Sequence, residues 1–127
     1  MTYYFAKSLD VPFAQAVEKT IASLKTHGFG VLTKIDVAAT LKEKIGVEFH
    51  PYVILGACNP KMAHQALQAE DKIGTMLPCN VIVQERNGKT EVAAIDPVAS
   101  MQAVQNDALA SVANQVREEL KAAVSDL

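Results

Sequence analysis

The chain has 127 residues, half of them apolar and a fifth charged; that is a globular composition of about one domain, and it excludes a disordered chain or a disulfide-held miniprotein. Twelve Lys and Arg against fourteen Asp and Glu leave a formal charge of −2 with no run of either sign, so no nucleic-acid partner is expected. No apolar run reaches the roughly 18 residues that span a bilayer, and the first residues carry neither the basic nor the apolar region of an export signal, so the expected location is the cytoplasm, with no membrane partner.

Tyr3 to Ser8 reads as a short aromatic-rich strand bounded by Asp10 and Pro12. From Pro12 to His27, Phe13, Val17, Ile21 and Leu24 recur at helical spacing, and His27-Gly28 ends the segment with a cation and a residue at ease in the left-handed region. Phe29 to Ile35 reads as a strand with Val31, Thr33 and Ile35 on one face and Leu32 and Lys34 on the other. Asp36 then caps a short amphipathic helix in which Val37, Leu41 and Ile45 lie four apart, closed by Gly46. His50 to Ala57 is the most apolar strand, with Tyr52 and Ile54 alternating with Val53 and Leu55; burial on both faces and a place in the sheet centre are expected.

Asn59-Pro60 supplies a cap and a first-turn proline for a third helix, running to about Asp71 along Ala63, Ala66 and Leu67. After the apolar connection Ile73 to Pro78, the segments Cys79 to Arg86 and Lys89 to Ile95 flank Asn87-Gly88, a strong hairpin signal. Asp96-Pro97 repeats the cap-plus-proline device and opens one long helix from Pro97 to Val124, on Met101, Val104, Ala108, Val112, Val116 and Leu120. These elements predict a single α+β domain over residues 1–127: two layers, a mainly antiparallel sheet of about five strands, and helices on one face.

The turn at Asn87-Gly88 fixes the hairpin register, pairing Arg86 with Lys89, Val83 with Val92 and Val81 with Ala94. Those valines and Ala94 form an apolar face for the helices. The other face mixes Ile82, Ala93 and Ile95 with Asn80, Gln84 and Glu91, too apolar to stand in water, and a second copy of the chain is expected to cover part of it in a two-fold dimer.

Extended further, the register sets Cys79 opposite Asp96 and Asn80 opposite Ile95. Cys58 stands at a strand-to-helix corner, beside first-turn N–H groups and a helix dipole that favour an anion, either its own thiolate or a bound acid group. If the strands ending at Cys58 and starting at Cys79 are adjacent and antiparallel, both thiols lie at one end of the sheet, and that arrangement is the expected one. The bland alternative is that both cysteines are small buried hydrophobes and that Asn59 and Asp96 only cap helices. No metal site is expected, because His27, His50 and His64 have no ligand spacing with the cysteines, and His64 sits among polar neighbours as a surface residue. Gly28-Phe29-Gly30 lacks a third glycine and precedes a strand, so it is a helix stop and no dinucleotide loop.

Several stretches resemble a known family, domain of unknown function 302: Ile35-Asp36-Val37 with Leu41-Lys42-Glu43-Lys44 and Gly46-Val47-Glu48-Phe49; Pro51 to Ala57 running into Cys58-Asn59-Pro60; Leu77-Pro78-Cys79-Asn80-Val81; and Asp96-Pro97. The resemblance covers nearly the whole chain. It implies a small α+β domain with an antiparallel sheet, grouped with TATA-box-binding-protein-like folds and tending to dimerise, and it supplies no reaction or cofactor. It adds weight to Cys58, Asn59, Cys79, Asn80 and Asp96.

Three functions stay open from the residues. The first is a module binding a small anionic ligand at the Cys58-Asn59-Pro60 helix start, walled by Leu77, Cys79 and Asn80, with Asp96 nearby. The second is a thiol-dependent enzyme or redox protein with Cys58 and Cys79 as its catalytic pair. The third is a structural dimer without a site.

Overall fold

The computed structural model describes residues 2–127. Five strands, β1 (Tyr4–Leu9), β2 (Gly30–Asp36), β3 (Tyr52–Cys58), β4 (Cys79–Arg86) and β5 (Lys89–Ile95), and helices α1 (Phe13–Thr26), α2 (Val37–Ile45), α3 (Pro60–Ala69), α4 (Pro97–Ser100) and α5 (Asp107–Ser125) follow one another as β1-α1-β2-α2-β3-α3-β4-β5-α4-α5. All pairings are antiparallel, in the order β1-β5-β4-β3-β2. The centre is therefore β4, and the most apolar strand, β3, lies beside it instead of in the middle.

Local chemistry explains most boundaries. Asn87 and Gly88 both take positive φ (53° and 77°), which the tight hairpin turn needs, and the register runs through Arg86↔Lys89, Val83↔Val92 and Val81↔Ala94. At α2 the Asp36 carboxylate accepts from the Ala39 N–H, and Gly46 closes the helix at φ 68°.

Two elements differ from the sequence reading. The long final helix is broken: α4 lasts one turn, and α5 starts afresh at Asn106, whose Oδ1 accepts from the Ala108 and Leu109 N–H groups while its Nδ2 donates to the Ala69 carbonyl, 2.8 Å away. A polar cap that also ties α5 to the end of α3 outweighs the continuous apolar spacing. In β2 the register shifts between Val31 and Thr33, leaving Leu32 as the extra residue of a bulge. Val31 consequently falls on the face of Ala57, while Thr33 and Ile35 fall on the opposite face with Gly56 and Ile54. The connection before β4 is not plain loop: residues Asp71–Met76 wind into a 3₁₀ turn that buries Ile73.

The two faces of the sheet have different fates. On one, Val53, Leu55, Ala57, Cys79, Val81, Val83, Val92 and Ala94 are buried beneath α1, α3 and α5, with Leu24, Phe29, Leu109 and Leu120 filling the layer between. On the other, a row of apolar residues crosses all five strands, Ile35↔Ile54↔Ile82↔Ala93↔Ala6, flanked by the row Tyr52↔Gln84↔Glu91↔Ser8. Most of these are half-buried, and Ile35 is exposed. Helix α2 packs chiefly on β2 and β3 and buries none of its residues.

Candidate functional site

The antiparallel order brings the two cysteine segments to one rim. Cys79 lies directly across from Ala57, with Cys58 the next residue along. Cys58, Asn59, Leu77 and Cys79 line a common cavity under α3 and α5, closed by Phe29, Met62 and Met101 among others. The cavity is about 30 Å³, room for a water or two. Its walls are apolar side chains apart from the thiols and Asn59, so it holds nothing to orient a solute.

The thiols are not activated. Burial pushes Cys79 up to about 11, with Cys58 nearby adding to the rise, and burial also raises Cys58. At neutral pH both carry their protons, and a protonated thiol is a poor nucleophile. The helix N-terminus beside Cys58 is already occupied. Pro60 has no N–H, the Met62 N–H donates to Asn59 Oδ1 (3.2 Å), and the Ala63 N–H donates to the Asn59 carbonyl (2.9 Å). An incoming anion meets few free donors there.

The same corner explains two glycines. A methyl group at Gly56 would strike the Thr33 side chain and lie 2.8 Å from Pro78 Cγ, so this position must be glycine for the Leu77–Pro78 segment to fold over β3; that peptide bond is cis. Gly28 takes φ 86°, and a methyl there would lie 3.1 Å from the Asn59 amide nitrogen, which packs the end of α1 against the start of α3.

The remaining expected residues are dispersed. The ladder between β4 and β5 ends at Val81↔Ala94, so the expected Cys79–Asp96 pair is not part of it. Asp96 instead caps α4 through the Val98 N–H (3.0 Å) and takes the Arg117 Nε at 3.3 Å; that guanidinium also lies 5.1 Å from the Phe5 ring. It ties β5 and β1 to α5. Asn80 is exposed on the other side of the sheet, and Pro60 is exposed at the start of α3. His64 is exposed, and among the described residues no three His, Cys, Asp or Glu side chains are grouped to hold a metal ion.

Asn80 opens onto a larger feature on the helix-free face. A hollow of about 370 Å³ is floored by Ile82, Ala93 and Ile95 and rimmed by Tyr3, Tyr4, Tyr52, Asn80, Gln84 and Glu91. Tyr3 and Tyr4 pack edge to face at 5.1 Å, and Tyr52 meets the rings of Phe49 (6.1 Å) and His50 (5.8 Å). His50 Nε2 lies 2.9 Å from Gln84 Oε1, and Gln84 Nε2 donates to Glu91 Oε1 at 3.1 Å. This chain of bonds orients the Gln84 amide, and Gln84 and Glu91 both line the hollow. Partial burial raises the Tyr52 phenol, helped by Tyr3 and Glu91.

Half of this rim was legible: Asn80, Gln84 and Glu91 alternate with the floor residues on the hairpin. Tyr52 and Tyr4 come from strands, and Tyr3 from the residue before one, whose neighbours only the strand order reveals.

The family model for domain of unknown function DUF302 matches residues 5–127. A crystal structure of an uncharacterized conserved DUF302 protein from Bacillus stearothermophilus superposes with a TM-score of 0.92 at 30% identity, covering 98% of each chain. No functionally curated protein matches. Among the described residues no helix is long and apolar enough to cross a membrane.

Proposed function

The chain belongs to the DUF302 family, whose description assigns no reaction, and we propose that it is a small-ligand-binding module whose site is the hollow on the helix-free face. One observation carries this: of the two concavities that bear expected site residues, the hollow has about 370 Å³ and convergent polar groups, while the thiol cavity has about 30 Å³ and apolar walls. Ligand sites combine an apolar floor with a few placed polar groups at a volume of roughly 300–1,000 Å³. The anion reading at the Cys58-Asn59-Pro60 corner has less behind it, since Pro60 has no N–H and Asn59 already takes the Met62 and Ala63 donors. The thiol reading has less still, since both thiols are held protonated.

The test is a ¹⁵N-labelled sample titrated with a panel of small metabolite-like compounds. Shifted amides are expected at Tyr3 and Tyr4, Tyr52, Asn80 to Gln84 and Glu91 to Ile95. Shifts clustered at Cys58 to Lys61 would return the site to the helix start, and a panel that shifts nothing would remove the proposal.

A dimer is a second reading, and a specific observation favours it. Helix α2 has nine residues, shorter than the roughly 12–15 that hold a helix alone in water, yet its apolar stripe is only partly covered, with Val37 and Leu41 half-buried and Ile45 66% exposed. Leu32, Ile35, Val47 and Phe49 are exposed in the same part of the chain. A second copy seated at this β2–α2 end of the helix-free face would cover them and leave the hollow open. Light scattering at micromolar concentration should give twice the monomer mass, falling to the monomer in Ile45→Lys; a wild-type monomer would sink this reading. Two free thiols fit a reducing compartment, which supports the cytoplasm as the location.

A further inference from the structure

Resting on the hollow being the binding site, we propose that its ligand is a small flat cation of the aryl-amidine class, with its charged end on Glu91 and its ring on the Ile82–Ala93–Ile95 floor. Three features of the hollow select this chemistry.

The first is charge. Glu91 is the one ionisable acid or base lining the hollow apart from the tyrosine phenols. It is half-buried, and Gln84 engages Oε1 but no protein donor among the described residues engages Oε2. A carboxylate with an open oxygen in a partly dry hollow repels an anion and accepts a charge-assisted hydrogen bond from a cation.

The second is orientation. Gln84 is held from behind by His50, so its amide presents N–H to Glu91 Oε1 and leaves Oε2 open before any ligand arrives. An amidinium presents two parallel N–H donors in a plane, one for the open Oε2 and one for the remaining lone pair of Oε1. The third is the wall. Tyr3, Tyr4 and Tyr52 bring aromatic rings to the lining, a side-chain type that attracts cations, and Ile82, Ala93 and Ile95 give an apolar floor for a ring.

Two cations of the protein flank the hollow without entering it. Arg86 and Lys89 stand on the same face one row nearer the turn, both exposed, about 7 Å along the strands from Gln84 and Glu91. At that distance and exposure their fields are weakened by water and salt, and contact with Glu91 decides the sign.

The test uses three probes sharing one ring: benzamidine, benzyl alcohol and benzoate, titrated into the ¹⁵N-labelled protein. Benzamidine should shift the amides of Asn80 to Gln84 and Glu91 to Ile95 and bind more tightly than benzyl alcohol, while benzoate leaves the hollow unshifted. Glu91→Gln, with its fold checked by circular dichroism, should weaken benzamidine on the order of tenfold to a hundredfold and leave benzyl alcohol unchanged. If benzyl alcohol or benzoate occupies the hollow as well as benzamidine does, the cation assignment is wrong while the site stands. If none of the three shifts the hollow, both the site and the assignment fall.

Discussion

The two faces of this sheet are made by alternate residues of the same five strands, yet one is filled and the other is hollow. On the helix side the middle of the sheet is closely packed: Leu55, Val81, Val83, Val92 and Ala94 are fully buried, and the space beside the cysteines has room for a water or two. On the helix-free side the neighbouring residues of the same strands, Tyr52, Ile82, Gln84, Glu91 and Ala93, remain half-open and mix apolar with polar groups. Sequence distinctiveness and site chemistry are separate matters. The Gly-Ala-Cys-Asn-Pro and Leu-Pro-Cys-Asn segments meet in a closely packed corner, where a methyl group on Gly56 would strike Thr33 and Pro78.

The sharpest way to break the comparison is to truncate one residue on each face. Leu55→Ala should cost about 2–5 kcal/mol by urea unfolding, since it opens a cavity in the filled layer. Ile82→Ala, on the adjacent strand but facing the hollow, should cost roughly 1 kcal/mol, because half-burial removes only part of the side chain from water. Equal costs would mean that the two faces are packed alike.

Gly56→Ala sharpens the claim that the cysteine corner is a packing device. Alanine in a strand is ordinarily preferred to glycine, but here its methyl group meets Thr33 and the Pro78 ring, so a loss of about 1–3 kcal/mol is expected. A neutral or stabilising outcome would show the corner to be loose.

The smallest effect lies at the far edge of the filled face. His27, at the end of α1, bonds Asp126 (2.7 Å) and faces Glu119 (3.4 Å) near the end of α5. The Asp126 bond raises its pKa, burial opposes the rise, and Glu119 adds to it. A raised native value means that the folded state holds the proton more tightly than the unfolded chain. The contribution is therefore complete below the ordinary histidine value of about 6.5 and is lost as pH climbs through the native one. Thermal melting should show a small decline across that window, and His27→Gln should flatten it.

Much of the fold was legible because its signals are local. The Asn87-Gly88 turn carried the whole hairpin register, and Asp36 with Gly46 bounded α2, since one side chain and one positive φ suffice for each. The break before α5 was hidden because the strong start signal at Asp96-Pro97 and the unbroken spacing from Met101 to Leu120 read as one helix; the Asn106 cap gains its force from a bond to Ala69, 37 residues away. The bulge at Leu32 was invisible for a related reason, since it depends on the register against β3. As for the site, the approach of Cys58 to Cys79 was foreseen from strand direction. That the space between them is filled, while Asn80 one residue on faces a hollow across the sheet, follows from packing among four strands and three helices that no local pattern records.

A site in the hollow requires the cysteine corner to be closed and the opposite face to be the accessible one. Time-resolved alkylation of the native protein at neutral pH, mapped by mass spectrometry, tests this most directly. Cys79 should react only as fast as the protein unfolds, and Cys58 more slowly than an unstructured cysteine. If either thiol reacts faster than a free cysteine peptide, the corner is open and activated, and the functional site lies there after all.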